Sequence, residues 1–190
     1  MYTIAFNKAV DHVMLYEVGG FWDLNAPGVQ DGTNLHACGY VNDPYDPGGE
    51  TKFGIAKNSH PSTDIKDLTW DEACDIYYNQ YWLAGSCDKM PGVVGVLQFD
   101  GCVNNGVRHA SQMVQRALGV TDDGSIGPVT LAAINAANPV DLCNKICDQR
   151  IAFYNDIVNA NPSLGRYLNG WLRRVSDMRN FTTNPQANFS

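Results

Sequence analysis

The chain is 190 residues long, 44% hydrophobic and 17% charged, which suits one globular domain or two small lobes and excludes a disordered protein. No apolar run approaches the ~20 residues of a bilayer span, and Met1-Tyr2-Thr3-Ile4-Ala5-Phe6-Asn7-Lys8 shows none of the basic, apolar and small-residue segments of an export signal. Net charge is −7; residues 1–141 hold 7 basic and 17 acidic groups and residues 142–190 hold 6 and 3, so the acidic front argues against nucleic acid, whose binding rests on neutralised phosphates. Arg166, Arg173, Arg174 and Arg179 of the basic tail either lie on a solvated helix face or oppose an anionic polymer.

In chain order, Ile4, Phe6, Val10, Val13 and Met14 fall mostly on one face of a helix over 4–17, and Gly19-Gly20 ends it. Glu17 therefore sits in the last turn, where a negative charge opposes the helix dipole. It is either a tolerated surface residue or a carboxylate aimed into a cleft and kept partly protonated by dipole and burial. Residues 21–39 show no period and read as a long loop with room for a small hairpin; such loops tend to be functional or mobile. Phe21 and Trp22 either offer a face to a sugar ring or pin that loop to the core.

Residues 40–56 are dense in turn formers: Asn42, Asp43, Pro44, Asp46, Pro47, Gly48 and Gly49. They predict two short strands, about 40–42 and 52–56, and put Asp43, Asp46, Glu50 and Thr51 on one compact loop. Thr69-Trp70-Asp71-Glu72 is a capping box opening a helix over 69–83, with Ala73, Ile76, Tyr77, Tyr81 and Trp82 on its buried side. An apolar stretch over 93–104 leads to Asn104-Asn105-Gly106. Helices follow over 109–118 (ended by Gly119), 128–137 (opened by Pro128), 140–159 and 164–179, then a polar tail.

Cys38, Cys74, Cys87, Cys102, Cys143 and Cys147 form no Cys-x-x-Cys pair, and His12, His36, His60 and His109 lack zinc-ligand spacing. Buried, reduced thiols are expected, with no metal and no cofactor.

The run Glu17…Gly19-Gly20, then Tyr40-Val41-Asn42-Asp43-Pro44 and Asp46-Pro47-Gly48-Gly49-Glu50-Thr51-Lys52-Phe53-Gly54-Ile55, resembles the phage-type N-acetylmuramidases of glycoside hydrolase family 108. The resemblance extends through Leu68-Thr69 to Tyr81-Trp82, Phe99-Asp100 to Asn105-Gly106, Gln115 to Gly119 and Asp123 to Thr130, and ends in Gly170-Trp171-Leu172-Arg173-Arg174-Val175. It implies an α+β, predominantly α-helical, lysozyme-like fold with one small β-hairpin region beside the active-site cleft. It divides the chain into a catalytic lobe over 1–92 with a loop insertion at 21–39, a helical peptidoglycan-binding-like half over 93–181, and a tail over 182–190.

One departure matters. In the family the Glu is followed at once by Gly-Gly-Tyr and the aspartate loop, so a gap-free match back from Tyr40 would put Ala37 in its place and leave a dead enzyme. An insertion of about 20 residues after Gly20 restores Glu17 instead. We prefer the insertion, because residues 4–16 form the amphipathic helix that the family Glu caps, whereas Gln30-Asp31-Gly32-Thr33-Asn34 cannot, and added loop length costs little closure entropy.

The resemblance then implies the residues. Glu17, with a raised pKa, protonates the leaving oxygen. Asp46 is the second carboxylate, with Asp43 and Glu50 as rivals, and Thr51 holds the water. Tyr40, Asp43, Glu50, Asp100 and Asn105 bind substrate. Carboxyl groups about 6.5–9.5 Å apart would mean inversion and about 5 Å retention. The implied activity is hydrolysis of the β-1,4 bond between N-acetylmuramic acid and N-acetylglucosamine, as an endolysin. The alternatives are a lytic transglycosylase, or a catalytically dead wall-binding or virion protein. The implied partner is peptidoglycan glycan, with no nucleic acid and no membrane insertion, bound by a monomer. The protein would accumulate in the host cytoplasm and reach the wall after holin-mediated release.

Overall fold

The computed structural model describes residues 2–20, 22–43 and 48–184. The fold is α+β and predominantly helical, with one two-stranded antiparallel sheet among the described residues. By packing, the chain forms two compact units: residues 10–79, and residues 1–9 with 80–190.

Helix α1 (Ile4–Glu17), whose residues from Val10 on belong to the first unit, ends where the sequence predicts, at Gly19 (φ 97°) and Gly20 (φ 86°). The predicted second strand over 52–56 folds back on itself instead. Strands β1 (Thr51–Lys52) and β2 (Ile55–Ala56) pair through a turn at Phe53 (φ 51°) and Gly54 (φ 75°). Two successive left-handed residues are the twist that a tight hairpin needs. Phe53 tolerates the strained conformation because its ring is wholly buried. Val41 bridges Thr51 from the other side, so Thr51 is the middle of a three-segment patch.

Among the described residues, 22–39 hold no hairpin; they form a chain of hydrogen-bonded turns anchored in the core. Val29 and Cys38 are fully buried, the Trp70 amide donates to the Gln30 carbonyl at 3.0 Å, and Gly32 fits against the Leu68 carbonyl and the buried Lys52 ammonium. That ammonium donates to the Lys66 carbonyl at 2.6 Å; burial pushes its pKa down, while Asp67, Asp31 and Asp64 oppose the shift. Trp22 settles its two readings by pinning the loop: its ring lies 4.7 Å from Trp70, and its indole N–H donates to Asp11 at 3.0 Å. Phe21 lies outside the described residues.

Helix α2 (Trp70–Tyr77) opens with both halves of the Thr69–Glu72 capping box and continues into a π-helical stretch, Tyr78–Leu83. Trp82 is buried as expected, whereas Ile76 and Tyr81 are only half-buried, and Cys74 takes a core place.

The second unit contains α3 (Gly92–Asn105), α4 (Val107–Leu118), α5 (Pro128–Ala136), α6 (Pro139–Ala160) and α7 (Gly165–Thr183). Helix α6 packs on α7, α4 and α3, and Phe6, Trp82 and Phe99 form an edge-on aromatic cluster. All six cysteines are buried and unbridged. Burial pushes the thiols of Cys74 and Cys143 up to about 12, which leaves them uncharged and inert.

At the centre of this unit Asp100, with no exposed surface, takes Arg150 at 2.6 Å on one oxygen and Arg174 at 2.9 Å on the other. Burial opposes the charge on Asp100, but the two guanidinium groups outweigh it and hold the carboxyl below its ordinary value. Two corrections to the sequence-based expectations follow. Asp100 has no surface to offer a sugar, and Arg174 is a core cation rather than part of an exposed basic face.

Removing one member of such a group leaves an uncompensated buried charge. Asp100→Ala should therefore cost about 3–5 kcal/mol in urea unfolding. Because the folded pKa is depressed, this stabilisation is complete above the unfolded value near 3.8 and is lost as pH falls below it. Acid titration of the wild-type unfolding midpoint checks the sign.

Candidate active site

The candidate site begins with closure of the insertion. A side chain at Gly39 would lie 3.2 Å from Val18 Cγ1 and 3.4 Å from Val18 Cα. The two ends of the added loop therefore touch, and the chain resumes beside the point where α1 stopped. The Phe53 amide donates to the Cys38 carbonyl at 2.8 Å, which ties the returning strand to the hairpin turn.

Glu17 lies against that turn. A Cβ on Gly54 would sit 2.9 Å from Glu17 Cβ, 3.2 Å from Glu17 Cγ and 2.8 Å from the Tyr77 hydroxyl. Glycine is thus required at 54 twice, for its positive φ and for the close approach of Glu17. Tyr77 is buried and donates to the Phe53 carbonyl at 2.8 Å, fixing the turn from the α2 side. Glu17 itself is half-buried at the helix end. Ala37 sits in the returning turn, its amide bonded to Asn34 Oδ1 at 3.1 Å.

The other predicted residues divide as follows. Thr51 pairs with Val41 through both backbone groups, at 2.9 and 2.8 Å, on the hairpin that carries Gly54. The Tyr40 hydroxyl donates to Glu50 at 3.0 Å, so those two hold one another across the patch. Burial and the neighbouring carboxylate raise the Tyr40 pKa. Asp43 is exposed two residues beyond the Val41 bridge. Asp46 lies outside the described residues. Asn105 belongs to the second unit; its amide N–H donates to the buried Tyr154 hydroxyl at 3.0 Å, and that hydroxyl in turn donates to Asn104.

Residues 33–106 match the family model of glycosyl hydrolase 108, and residues 109–176 match that of a predicted peptidoglycan domain. The chain thus carries a glycosyl hydrolase 108 domain. This hydrolase domain is followed by a peptidoglycan-binding domain, and the two support a peptidoglycan-hydrolysing, muramidase-like function. The solved structure of SagA from Brucella abortus is 29% identical in sequence and superposes with a TM-score of 0.71, over 96% of this chain and 98% of that one. No curated protein matches. The family-108 match begins at residue 33, so it includes Ala37 and leaves out Glu17, while Gly39 lies against Val18 in space.

Sequence reasoning missed Gly54 and Tyr77 as the groups that seat Glu17. A glycine in the middle of an otherwise strand-like run was the available signal. Gly54→Ala should lower stability by about 2 kcal/mol or more, through the left-handed strain of one residue plus the steric clash, and it should lower glycan hydrolysis in parallel. Tyr77→Phe should cost about 1–3 kcal/mol by leaving the buried Phe53 carbonyl without its donor. Urea titration of both variants measures these losses.

Proposed function

We propose that the enzyme cleaves the β-1,4 bond between N-acetylmuramic acid and N-acetylglucosamine, with Glu17 as the proton donor. The observation that carries this is the packing of Glu17 Cβ and Cγ against Gly54, in the hairpin that also holds Thr51. A carboxyl group here can protonate a glycosidic oxygen lying over the hairpin, since a donor must come within about 2.6–3.2 Å of the atom it protonates.

The second carboxylate activates water or shields the oxocarbenium ion. Asp46 is preferred for this role on family resemblance, with Asp43 and Glu50 as its rivals; Glu50 accepts the Tyr40 hydroxyl. The Thr51 hydroxyl holds the water. Tyr40 and Glu50 brace the strand that presents these groups. The resemblance to phage-type enzymes supports a role as an endolysin that acts as a monomer, accumulates in a host cytoplasm and reaches the wall through a holin.

Purified peptidoglycan digested with wild type and Glu17→Gln, with masses of the released glycans, tests the assignment. General acid catalysis contributes about 10²–10⁴-fold, so the variant should lose that much rate while keeping its circular dichroism. Wild-type products should carry one added water per cleavage. Anhydro ends would make the enzyme a lytic transglycosylase, and full activity of Glu17→Gln would remove Glu17 from the mechanism.

A further inference from the structure

The connection between α4 and α5 is held in one shape by a single buried amide. Gln115 Nε2 donates to Asp123 Oδ1 at 2.7 Å, to the Ser125 carbonyl at 3.0 Å and to Thr130 Oγ1 at 3.3 Å, while its Oε1 accepts the Gly124 amide at 2.8 Å. The Ser125 amide also donates to Asp123 Oδ1, at 2.8 Å. From the same helix, Gln112 donates to the Asp122 carbonyl at 3.1 Å, and Arg116 pairs with the Asp122 carboxylate at 2.6 Å. A polar network this complete rigidifies the loop it holds.

Beside the loop is an open cavity of about 360 Å³, lined among others by Val120, Thr121, Asp123, Ser125, Pro128 and Val129. That volume is in the range of small-ligand sites, about 300–1,000 Å³. Val129 is 75% exposed, an unusual placement for a β-branched apolar side chain at the start of a helix. Both loop-holding bonds of Asp123 use Oδ1, and Oδ2 has no hydrogen bond among the described residues. The bonds from Gln115 and Ser125 keep the Asp123 carboxyl below its ordinary pKa, so it is an anion at neutral pH. No aromatic ring lines the cavity, so it offers no flat apolar face for a sugar to stack on.

We propose that this cavity binds the peptide stem of peptidoglycan, not its glycan, with the stem's free side-chain ammonium on Asp123 and its methyl groups on Val120, Pro128 and Val129. The proposal rests on peptidoglycan being the substrate. It adds a second point of attachment, so that the wall is held through its peptides while the glycan is cut elsewhere on the chain.

Calorimetric titration of the full-length protein with a soluble stem tetrapeptide bearing a free side-chain amine tests it. The expected result is saturable binding, lost when that amine is acetylated and weakened at least about tenfold by Val129→Ser, an exposed change that spares the Gln115 network. An N-acetylglucosamine tetramer should not compete. Absent binding, unchanged affinity of the acetylated peptide, or displacement by the tetramer would each overturn the proposal. Hydrolysis of glycan strands stripped of their peptides, by the unaltered protein, tests the glycosidase assignment separately, because it needs no stem.

Discussion

The site depends on one loop closure. Residues 18–40 separate the end of α1 from the Val41 bridge, yet Val18 and Gly39 are in contact. Loop-closure entropy rises only slowly with length, so the separation in sequence is inexpensive once the ends are clamped. The clamp is the packing of the insertion itself: Val29 and Cys38 in the core, Trp22 on Trp70, and Gly32 under Lys52. The segment is therefore a folded spacer whose ends meet beside Glu17.

The two units stabilise themselves by different means. In residues 10–79 the hairpin turn is over-determined: Phe53 and Gly54 both take positive φ, Tyr77 bonds the turn carbonyl, and Cys38 accepts the turn amide. Strain of this kind persists only where the surroundings fix it, and here it leaves room for a carboxylate beside the backbone. The helical unit instead buries a charge cluster, with Asp100 between Arg150 and Arg174. Such clusters are poor sources of net stability but severe when broken, and they tie helices distant in sequence into one arrangement. Here α3, α6 and α7 meet at a single carboxylate.

Much of this was legible in the sequence. The helices declared themselves through local signals that operate without tertiary help: the Thr69–Glu72 capping box, Pro128 at a first turn, and Gly119 in the left-handed cap. Glu17 was legible as the last residue of an amphipathic helix. What was not legible needed long-range packing. The strand over 52–56 has a continuous β-like pattern, and only the burial of Phe53 lets a bulky residue turn the chain there. The π-helical stretch after Tyr77 is a winding that no regular period reports. The resemblance makes Asp100 a substrate-binding residue, and no local signal reports its partners, Arg150 and Arg174, which lie 50 and 74 residues away.

The most direct test is a crystal structure of the protein with an uncleaved N-acetylmuramic acid–N-acetylglucosamine oligosaccharide bound. The account predicts one Glu17 carboxyl oxygen within hydrogen-bond reach, about 2.6–3.2 Å, of the glycosidic oxygen, with the sugar lying over the Phe53–Gly54 turn. A saccharide seated with its scissile bond remote from Glu17 would contradict it.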